Sequence, residues 1–243
     1  MKDVIHYGLV LFIIASIAGV GLYGVNEMTK DRIAEASRAT LAAGQRIAFP
    51  EAASFSDAQS FPVNGSEGTY FDVYDKDGTL IGYEVVYAVQ GYQSQVKVLT
   101  GLRLDGHISG IRVLSQAETP GLGAEVEAVP STKTLWSAIG DLLGGARAAP
   151  EEAAPQIPTF QAQFTGKTLD QLVVVKQPTE ENIEAISGAT ITSAAVVKAV
   201  REPAEAFLAW IKQRETRGQR PEVRSQSTVS ESRRQPTEAA YAD

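Results

Sequence analysis

The hydrophobic pattern divides the chain into an apolar N-terminal segment and a domain with alternating strand and helix signals. From Val4 to Asn26 there is no Asp, Glu, Lys or Arg, and a helix of this length crosses the roughly 30 Å apolar core of a bilayer. Tyr7 and Tyr23 stand where interfacial aromatic residues are common. The pattern predicts a membrane anchor over residues 1–26. A cleaved secretory signal is the alternative, because residues 15–18 offer a small-residue cleavage site.

A more polar periodic segment follows the anchor and predicts a helical stalk over residues 27–50. Ile33 and Ala36 stand at i and i+3, and Ala43 and Ile47 stand at i and i+4. This spacing places the four side chains along one stripe of a helix. We therefore expect the anchor helix to continue into solvent.

Strand signals dominate the middle of the chain. Residues 52–68 are polar and contain Ser, Asn and Gly, so we expect a connecting loop there. Asp77-Gly78 and Asp105-Gly106 are strong hairpin cues. An antiparallel sheet is therefore predicted. Its four strands are rich in Val, Ile, Tyr and Thr and run from Tyr70 to Tyr74, Leu80 to Val89, Gln95 to Leu104 and Ile108 to Leu114.

Helix and loop signals alternate after the sheet. Thr132 to Leu143 predicts a short helix, in which Trp136 is expected to pack into the core. Residues 144–158 form an Ala/Pro/Gly/Glu stretch without periodicity, which predicts a surface insertion. Phe160 to Lys167 and Leu172 to Lys176 then return the chain to a helix-turn-strand pattern.

The C-terminal part predicts a helix in two pieces and a tail. One piece covers Ala194 to Val200, and the second runs from Ala206 to Lys212. Pro203 between them lacks an N–H group, so a bend is expected over Glu202 to Glu205. Residues 214–243 are rich in charged residues, Ser, Gln and Pro, and they predict a disordered tail.

Composition excludes several classes of function. The formal net charge is −7 with no basic stripe, which argues against a nucleic-acid surface. The absence of cysteine excludes thiol catalysis, iron–sulfur ligation and disulfides. The two histidines, His6 and His107, give no basis for a metal cluster, a paired base or a hydrolase. We therefore predict neither a metal site nor a catalytic residue.

The segment Ser187-Gly188-Ala189-Thr190-Ile191-Thr192-Ser193 carries the main candidate chemistry, because it opens a predicted helix with small and hydroxyl-bearing side chains. The first turn of a helix has free backbone N–H groups and the positive end of the dipole, which stabilise a bound phosphate. Gly188 and Ala189 would leave the approach open. On the residues alone, the segment is more typical of an ordinary N-cap than of a phosphate site.

A second candidate segment, Glu118-Thr119-Pro120-Gly121-Leu122-Gly123, follows the fourth predicted strand. Pro120 stiffens this loop, while Gly121 and Gly123 let backbone N–H groups approach a planar ring system. By itself, Thr-Pro-Gly is also typical of a plain turn.

Together the two segments resemble the FMN-binding domain shared by the G subunit of the Rnf electron-transport complex and the C subunit of the Na+-translocating NADH:quinone oxidoreductase. The resemblance implies an α+β fold over residues 51–213 and FMN attached through its phosphate to Thr192. Glu184 stands where the family more often has Asp. The resemblance also implies a phosphate pocket formed by Ser187, Gly188, Ala189 and Thr190, and a ring border formed by Glu118, Thr119, Gly121, Leu122 and Gly123. Within that border, a hydrogen bond is expected from Thr119 and an apolar contact from Leu122.

The function implied by this resemblance is electron transfer within an Rnf-type ion-translocating oxidoreductase, with the other Rnf subunits as partners and no catalysis by this chain alone. Attachment of flavin by the chain itself is not expected, because a threonine hydroxyl is a weak nucleophile and no His or Cys base stands near it in the sequence. The resemblance implies a separate flavin transferase that uses FAD and Mg2+. The alternatives are the C subunit of the quinone oxidoreductase, favoured less by the compact length, and a membrane-tethered binding, sensory or assembly domain without covalent flavin.

The predicted location is the cell inner membrane, with a single span and the domain on the periplasmic side. The side is taken from the resemblance. Lys2 flanks one end of the span, whereas Lys30, Arg32 and Arg38 follow the other, so the positive-inside rule mildly favours the opposite orientation.

Overall fold

The computed structural model describes residues 2–129, 157–177 and 179–216. It confirms the predicted α+β class, with one long N-terminal helix, an antiparallel sheet and one long C-terminal helix. The helices are α1 (Lys2–Ala48), α2 (Thr159–Ala162) and α3 (Thr190–Thr216). The strands are β1 (Ser54–Phe55), β2 (Gln59–Val63), β3 (Ser66–Tyr74), β4 (Leu80–Gln90), β5 (Gln95–Arg103), β6 (Ile108–Ser115), β7 (Val174–Val175) and β8 (Ile183–Glu184).

The predicted anchor and stalk are a single continuous helix, α1. Its N-terminal part is long and apolar enough to cross a membrane, with a mean hydropathy of 2.2 in its most apolar window. The helix ends at Ala48, two residues before Pro50, because proline disfavours the helical conformation of the residue before it. Its last turn is buried against the sheet at Gln45 and Ala48, so the stalk contacts the domain directly.

The six-stranded sheet has the order β1-β3-β4-β5-β6, and β2 also pairs with β3. All four predicted strands are present, although β3 begins earlier, at Ser66. The prediction of a loop over residues 52–68 is wrong, because β1 and β2 lie there. Two signals for β2 were overlooked. Phe61 and Val63 alternate into the core, and Asn64 and Gly65 have the positive φ values of a tight hairpin turn.

Helix α3 packs on one face of the sheet through aromatic side chains. Phe207 lies with its ring centroid 5.0 Å from those of Phe61, Tyr70 and Tyr83. The prediction of a helix in two pieces is wrong, because α3 runs unbroken from Thr190 to Thr216 through Pro203. Burial of Pro203 and its neighbours against the sheet offsets the hydrogen bond that proline cannot make.

Three further predictions fall wholly or mostly outside the described residues. The predicted helix with Trp136 lies outside the described residues, as does the insertion up to residue 156. Of the predicted tail, residues 214–216 belong to α3. The rest of the tail also lies outside the described residues.

The other face of the sheet receives the end of α1 over a row of glycines. A Cβ at Gly101 would lie 2.7 Å from the Ala48 carbonyl oxygen, and one at Gly110 would lie 3.1 Å from the same atom. A Cβ at Gly82 would lie 2.6 Å from the Phe49 ring. Because separations this short are sterically costly, the helix end can approach the sheet only where side chains are absent.

Glu84 of β4 is fully buried on this same face, opposite Gly101 of β5. Neither of its carboxyl oxygens has a hydrogen-bond partner among the described residues. Burial raises the pKa of the Glu84 carboxyl to about 8. The Gln45 side chain approaches without a hydrogen bond of normal geometry, and it lowers the pKa less than burial raises it. The carboxyl is therefore mostly neutral at pH 7.

We expect Glu84 to make the stability of the domain depend on pH. Its pKa is higher in the folded state than its ordinary value of 4.5. The contribution of the Glu84 carboxyl to stability is therefore fully present below pH 4.5. It is lost as the pH rises through about 8, and the free energy of unfolding falls by up to about 1.4 kcal/mol per pH unit. Glu84→Gln removes this slope. Chemical unfolding of the full-length protein in detergent, followed by circular dichroism across this range, measures it.

Glu67→Gln is the matched control, because Glu67 is exposed on the neighbouring strand β3. This variant should keep the wild-type slope. A Glu84→Gln protein whose stability also follows the wild-type slope would contradict the assignment.

Candidate functional site

The Ser187–Ser193 segment forms a tight turn followed by the first turn of α3. Gly188 adopts a φ of +76°, which suits glycine, and the helix begins at Thr190. The Ser193 hydroxyl fastens this junction. It accepts a hydrogen bond from Ile186 N and donates one to Ala189 O, both at 3.0 Å. Thr192 is thereby held in the first helical turn, where backbone N–H groups lack intrahelical acceptors.

The Thr192 hydroxyl is buried and points to the second candidate segment. Its side chain is only 2% exposed, and Oγ1 donates a hydrogen bond to Glu118 Oε2 at 2.7 Å. Glu118 follows β6 and is itself 5% exposed. The structure therefore joins two segments that are 74 residues apart in the sequence.

The Glu118 carboxylate is also bound by the turn between β4 and β5. The backbone amides of Tyr92, Gln93 and Ser94 donate to it at 3.2, 3.0 and 2.9 Å, and the Ser94 hydroxyl donates at 3.3 Å. Burial by itself raises the pKa of Glu118, but the hydrogen bonds from Thr192 and the three amides outweigh it and lower the pKa to about 2. The carboxylate is thus ionised at neutral pH.

Gly123 packs directly against the Thr192 hydroxyl. A Cβ at this position would lie 2.6 Å from Thr192 Oγ1 and 2.9 Å from Glu118 Oε2. Leu122, the preceding residue, lies over the turn of the first segment, where a Cβ at Gly188 would be 3.0 Å from its Cδ2. The loop therefore covers the start of α3 closely, and any side chain at residue 123 would clash with the hydroxyl and with Glu118.

The remaining residues predicted for the phosphate pocket surround Thr192. Ser187, Gly188 and Thr190 are exposed, while Ala189 is buried at the base of the turn. They therefore present a small-residue surface next to the buried hydroxyl.

The residues predicted to border the ring lie on the covering loop. Thr119 Oγ1 donates to the Gln93 side chain at 3.1 Å. Gly121 has a φ of +74° and no atom close to its missing Cβ. Leu122 and Ile191 remain exposed beside the site. Glu118 differs from the expectation, because it binds the Thr192 hydroxyl instead of lying on an open border.

The sequence-based interpretation missed the contribution of the β4–β5 turn. The signal that the sequence offers is Gly91, which separates two strand patterns. It comes just before the three residues whose backbone amides bind the carboxylate. A Cβ at Gly91 would lie 2.7 Å from Glu118 Oε1, so the carboxylate can reach this turn only past a glycine. Spacing alone does not indicate which carboxylate fills the turn.

A groove of about 380 Å³ opens next to the turn that precedes α3. Its lining includes Ser187, Ile186, Phe160, Gln163 and Glu125. It offers both apolar and polar surface beside the phosphate-pocket residues. Within the described residues, no group of three or more His, Asp or Glu side chains is placed to hold a metal ion.

Comparison with known proteins matches this region to a family model described as an FMN-binding domain, over residues 91–205. The match begins at the glycine of the β4–β5 turn and ends within α3, so it contains every element of the site. The chain is 33% identical over 214 residues to the G subunit of the Na+-translocating ferredoxin:NAD+ oxidoreductase complex of Acetobacterium woodii, covering 82% of this chain and 89% of the relative. The chain belongs to the family of Rnf G subunits.

Other Rnf G subunits show similar coverage. The G subunit of the ion-translocating oxidoreductase complex of Vibrio atlanticus is 29% identical over 205 residues, which cover 80% of this chain and 86% of the relative. Among solved structures, NqrC of Shewanella oneidensis aligns over 62% of each chain with 23% identity and a TM-score of 0.43. The relatives confirm the predicted family, and the family model confirms an FMN-binding domain.

The start of α3 has features that suit a phosphate such as that of FMN, namely a first helical turn and the exposed small residues Ser187 and Gly188 before it. A Cβ at residue 123 would clash with Thr192 Oγ1. Gly123→Ala should therefore disturb the site. Overpacking against Thr192 and Glu118 should lower the free energy of unfolding by about 1–3 kcal/mol, as measured by chemical unfolding of the full-length protein.

Gly121→Asn provides the control within the same loop. Asn tolerates a positive φ, and the space around residue 121 is open. We expect a loss of about 1 kcal/mol or less for this variant. Equal losses of stability in both variants would show that the backbone freedom of glycine, and not a clash with Thr192, determines the effect.

Proposed function

We propose that this protein is a membrane-anchored electron-transfer subunit of an Rnf-type ion-translocating oxidoreductase, carrying FMN as a phosphoester on Thr192. The observation that carries the proposal is the Thr192 hydroxyl itself. It stands in the first turn of a helix, bound to an ionised carboxylate, inside a segment that matches an FMN-binding domain. Small residues of the same segment precede it, and Gly123 packs directly against it.

The protein residues would hold the cofactor as follows. Thr192 supplies the ester oxygen, and the first-turn amides of α3 stabilise the negative charge of the phosphate. The phosphate pocket is completed by Ser187, Gly188, Ala189 and Thr190. The loop from Glu118 to Gly123 borders the ring, with Leu122 as an apolar contact. FMN supplies the redox chemistry, and the protein tunes it through contacts with the ring.

The covalent bond would keep the flavin attached to the protein. A domain outside the cytoplasm cannot replace a lost flavin from the cellular pool, so a phosphoester keeps the cofactor in place through many redox cycles. Attachment requires a separate flavin transferase with FAD and Mg2+. The partners in electron transfer are the other subunits of the complex, which the names of the relatives support.

One observation favours a different class, a membrane-tethered binding or assembly domain without covalent flavin. The Thr192 hydroxyl is buried and already hydrogen-bonded, as expected of a purely structural side chain. The same contact is equally compatible with a hydroxyl held ready for modification. Detection of the flavin decides between the two classes.

Attachment at Thr192 can be tested with a denaturing gel viewed under ultraviolet light. After co-expression with a flavin transferase, the wild-type polypeptide should fluoresce, and Thr192→Val should be dark because it has no hydroxyl to esterify. Thr79→Val is the matched control, since Thr79 is exposed between β3 and β4, outside the site, and the variant should leave fluorescence unchanged. A fluorescent Thr192→Val protein would move the ester elsewhere. A dark wild type would support the binding-domain class.

The side of the membrane can be tested with protease added to intact spheroplasts. We propose that α1 crosses the inner membrane and places the domain outside the cytoplasm. The domain should then be cleaved without lysis, while a cytoplasmic marker protein remains intact. Cleavage only after lysis would place the domain inside, as the basic residues that follow the span would favour.

A further inference from the structure

Glu118 holds the Thr192 hydroxyl with one oxygen while the other is anchored by the β4–β5 turn. Oε1 accepts the amides of Gln93 and Ser94 at 3.0 and 2.9 Å. Oε2 lies 2.7 Å from Thr192 Oγ1 and receives a longer bond from Tyr92 N at 3.2 Å. The turn thus fixes the carboxylate so that Oε2 faces the hydroxyl.

This geometry is that of a nucleophile and its base. A threonine hydroxyl attacks phosphorus poorly unless a base takes its proton, and such a base must lie within about 2.6–3.2 Å of the oxygen. The two histidines of the chain lie elsewhere in the fold, His6 in α1 and His107 between β5 and β6. Glu118 meets the distance requirement with a charged oxygen.

We propose that Glu118 is the catalytic base for attachment of the flavin to Thr192, accepting the Oγ1 proton on Oε2 as the ester forms. The inference rests on the proposed function and concerns the reaction that installs the cofactor. The co-reactant is a flavin dinucleotide with a pyrophosphate bridge, presented with Mg2+ by the transferase.

The step balances without a redox partner. The bond between Thr192 Oγ1 and the flavin-side phosphorus forms, and the pyrophosphate P–O bond breaks. AMP leaves with the electron pair of that bond. The proton of the hydroxyl ends on Glu118.

The negative charge of the product makes Glu118 a stronger proton acceptor. Before attachment, hydrogen bonds from Thr192 and the amides keep the pKa of Glu118 low. Ester formation removes the hydroxyl donor and places a phosphodiester anion nearby, and both changes raise the pKa of a carboxyl group. A protonated Glu118 can donate to the ester, which removes the repulsion between two adjacent anions.

The test follows attachment to the full-length protein in detergent by a purified flavin transferase with FAD and Mg2+. Intact mass and in-gel fluorescence give the initial rate, and thermal unfolding reports the fold. Glu118→Gln keeps the shape of the side chain but is not a base. We expect its rate to fall by about 10²–10⁴-fold, the usual contribution of a general base.

Glu67→Gln is the matched control. It makes the same chemical change at an exposed residue of β3, away from Thr192, so the rate should stay within roughly threefold of wild type. If the Gln variant does not fold, Glu118→Ala with added formate replaces it. Formate, a small carboxylate, should restore attachment in proportion to its concentration.

The outcomes separate the two proposals. A wild type that gains no flavin from a transferase proven active overturns the covalent attachment and the base together. Equal rates for wild type and Glu118→Gln overturn the base alone. The same conclusion follows if Glu67→Gln is as slow as Glu118→Gln, because the loss would then not depend on the carboxylate next to Thr192. It also follows if formate fails to accelerate Glu118→Ala.

Discussion

The hydrogen bond between Thr192 Oγ1 and Glu118 Oε2 is the contact on which the candidate site depends. It joins the start of α3 to the loop after β6 at 2.7 Å, and the same carboxylate binds the β4–β5 turn through three amides. A buried carboxylate is costly unless its oxygens are satisfied. Here the satisfied charge brings three distant parts of the chain together, with the Thr192 hydroxyl among them.

The sheet supplies two faces with different tasks. One face packs against α3 through the cluster around Phe207 and so holds the helix that carries Thr192. The other face is lined by glycines where the end of α1 and Phe49 dock. Because α1 is continuous, the apolar span and the flavin domain are joined by a helix that contacts the sheet, and not by a flexible linker.

Local patterns predicted the regular elements well and the exceptions poorly. The four long strands follow from β-branched and aromatic runs with Asp-Gly turns, because side-chain alternation is a local property. β2 was overlooked because it lies in a stretch rich in Ser, Asn and Gly, although Phe61 and Val63 alternate and Asn64-Gly65 marks its hairpin. The division of the C-terminal helix was predicted from Pro203 alone, yet α3 continues through this residue while packed against the sheet. Tertiary contacts outweigh local propensity in both cases.

The sequence by itself determined the class of the protein: an apolar span, an antiparallel domain, and two motifs whose order identifies an FMN-binding family. The sequence also led us to predict that Thr192 and Glu118 belong to one site, with Thr192 as the attachment residue and Glu118 at the border of the flavin ring. Only the tertiary structure decided that Glu118 binds the Thr192 hydroxyl, that the β4–β5 turn holds the carboxylate, and that Glu84 is buried without a partner among the described residues. The physical reason is that periodicity and turn chemistry act between neighbours in sequence, whereas hydrogen bonding and desolvation depend on which distant atoms the fold brings into contact.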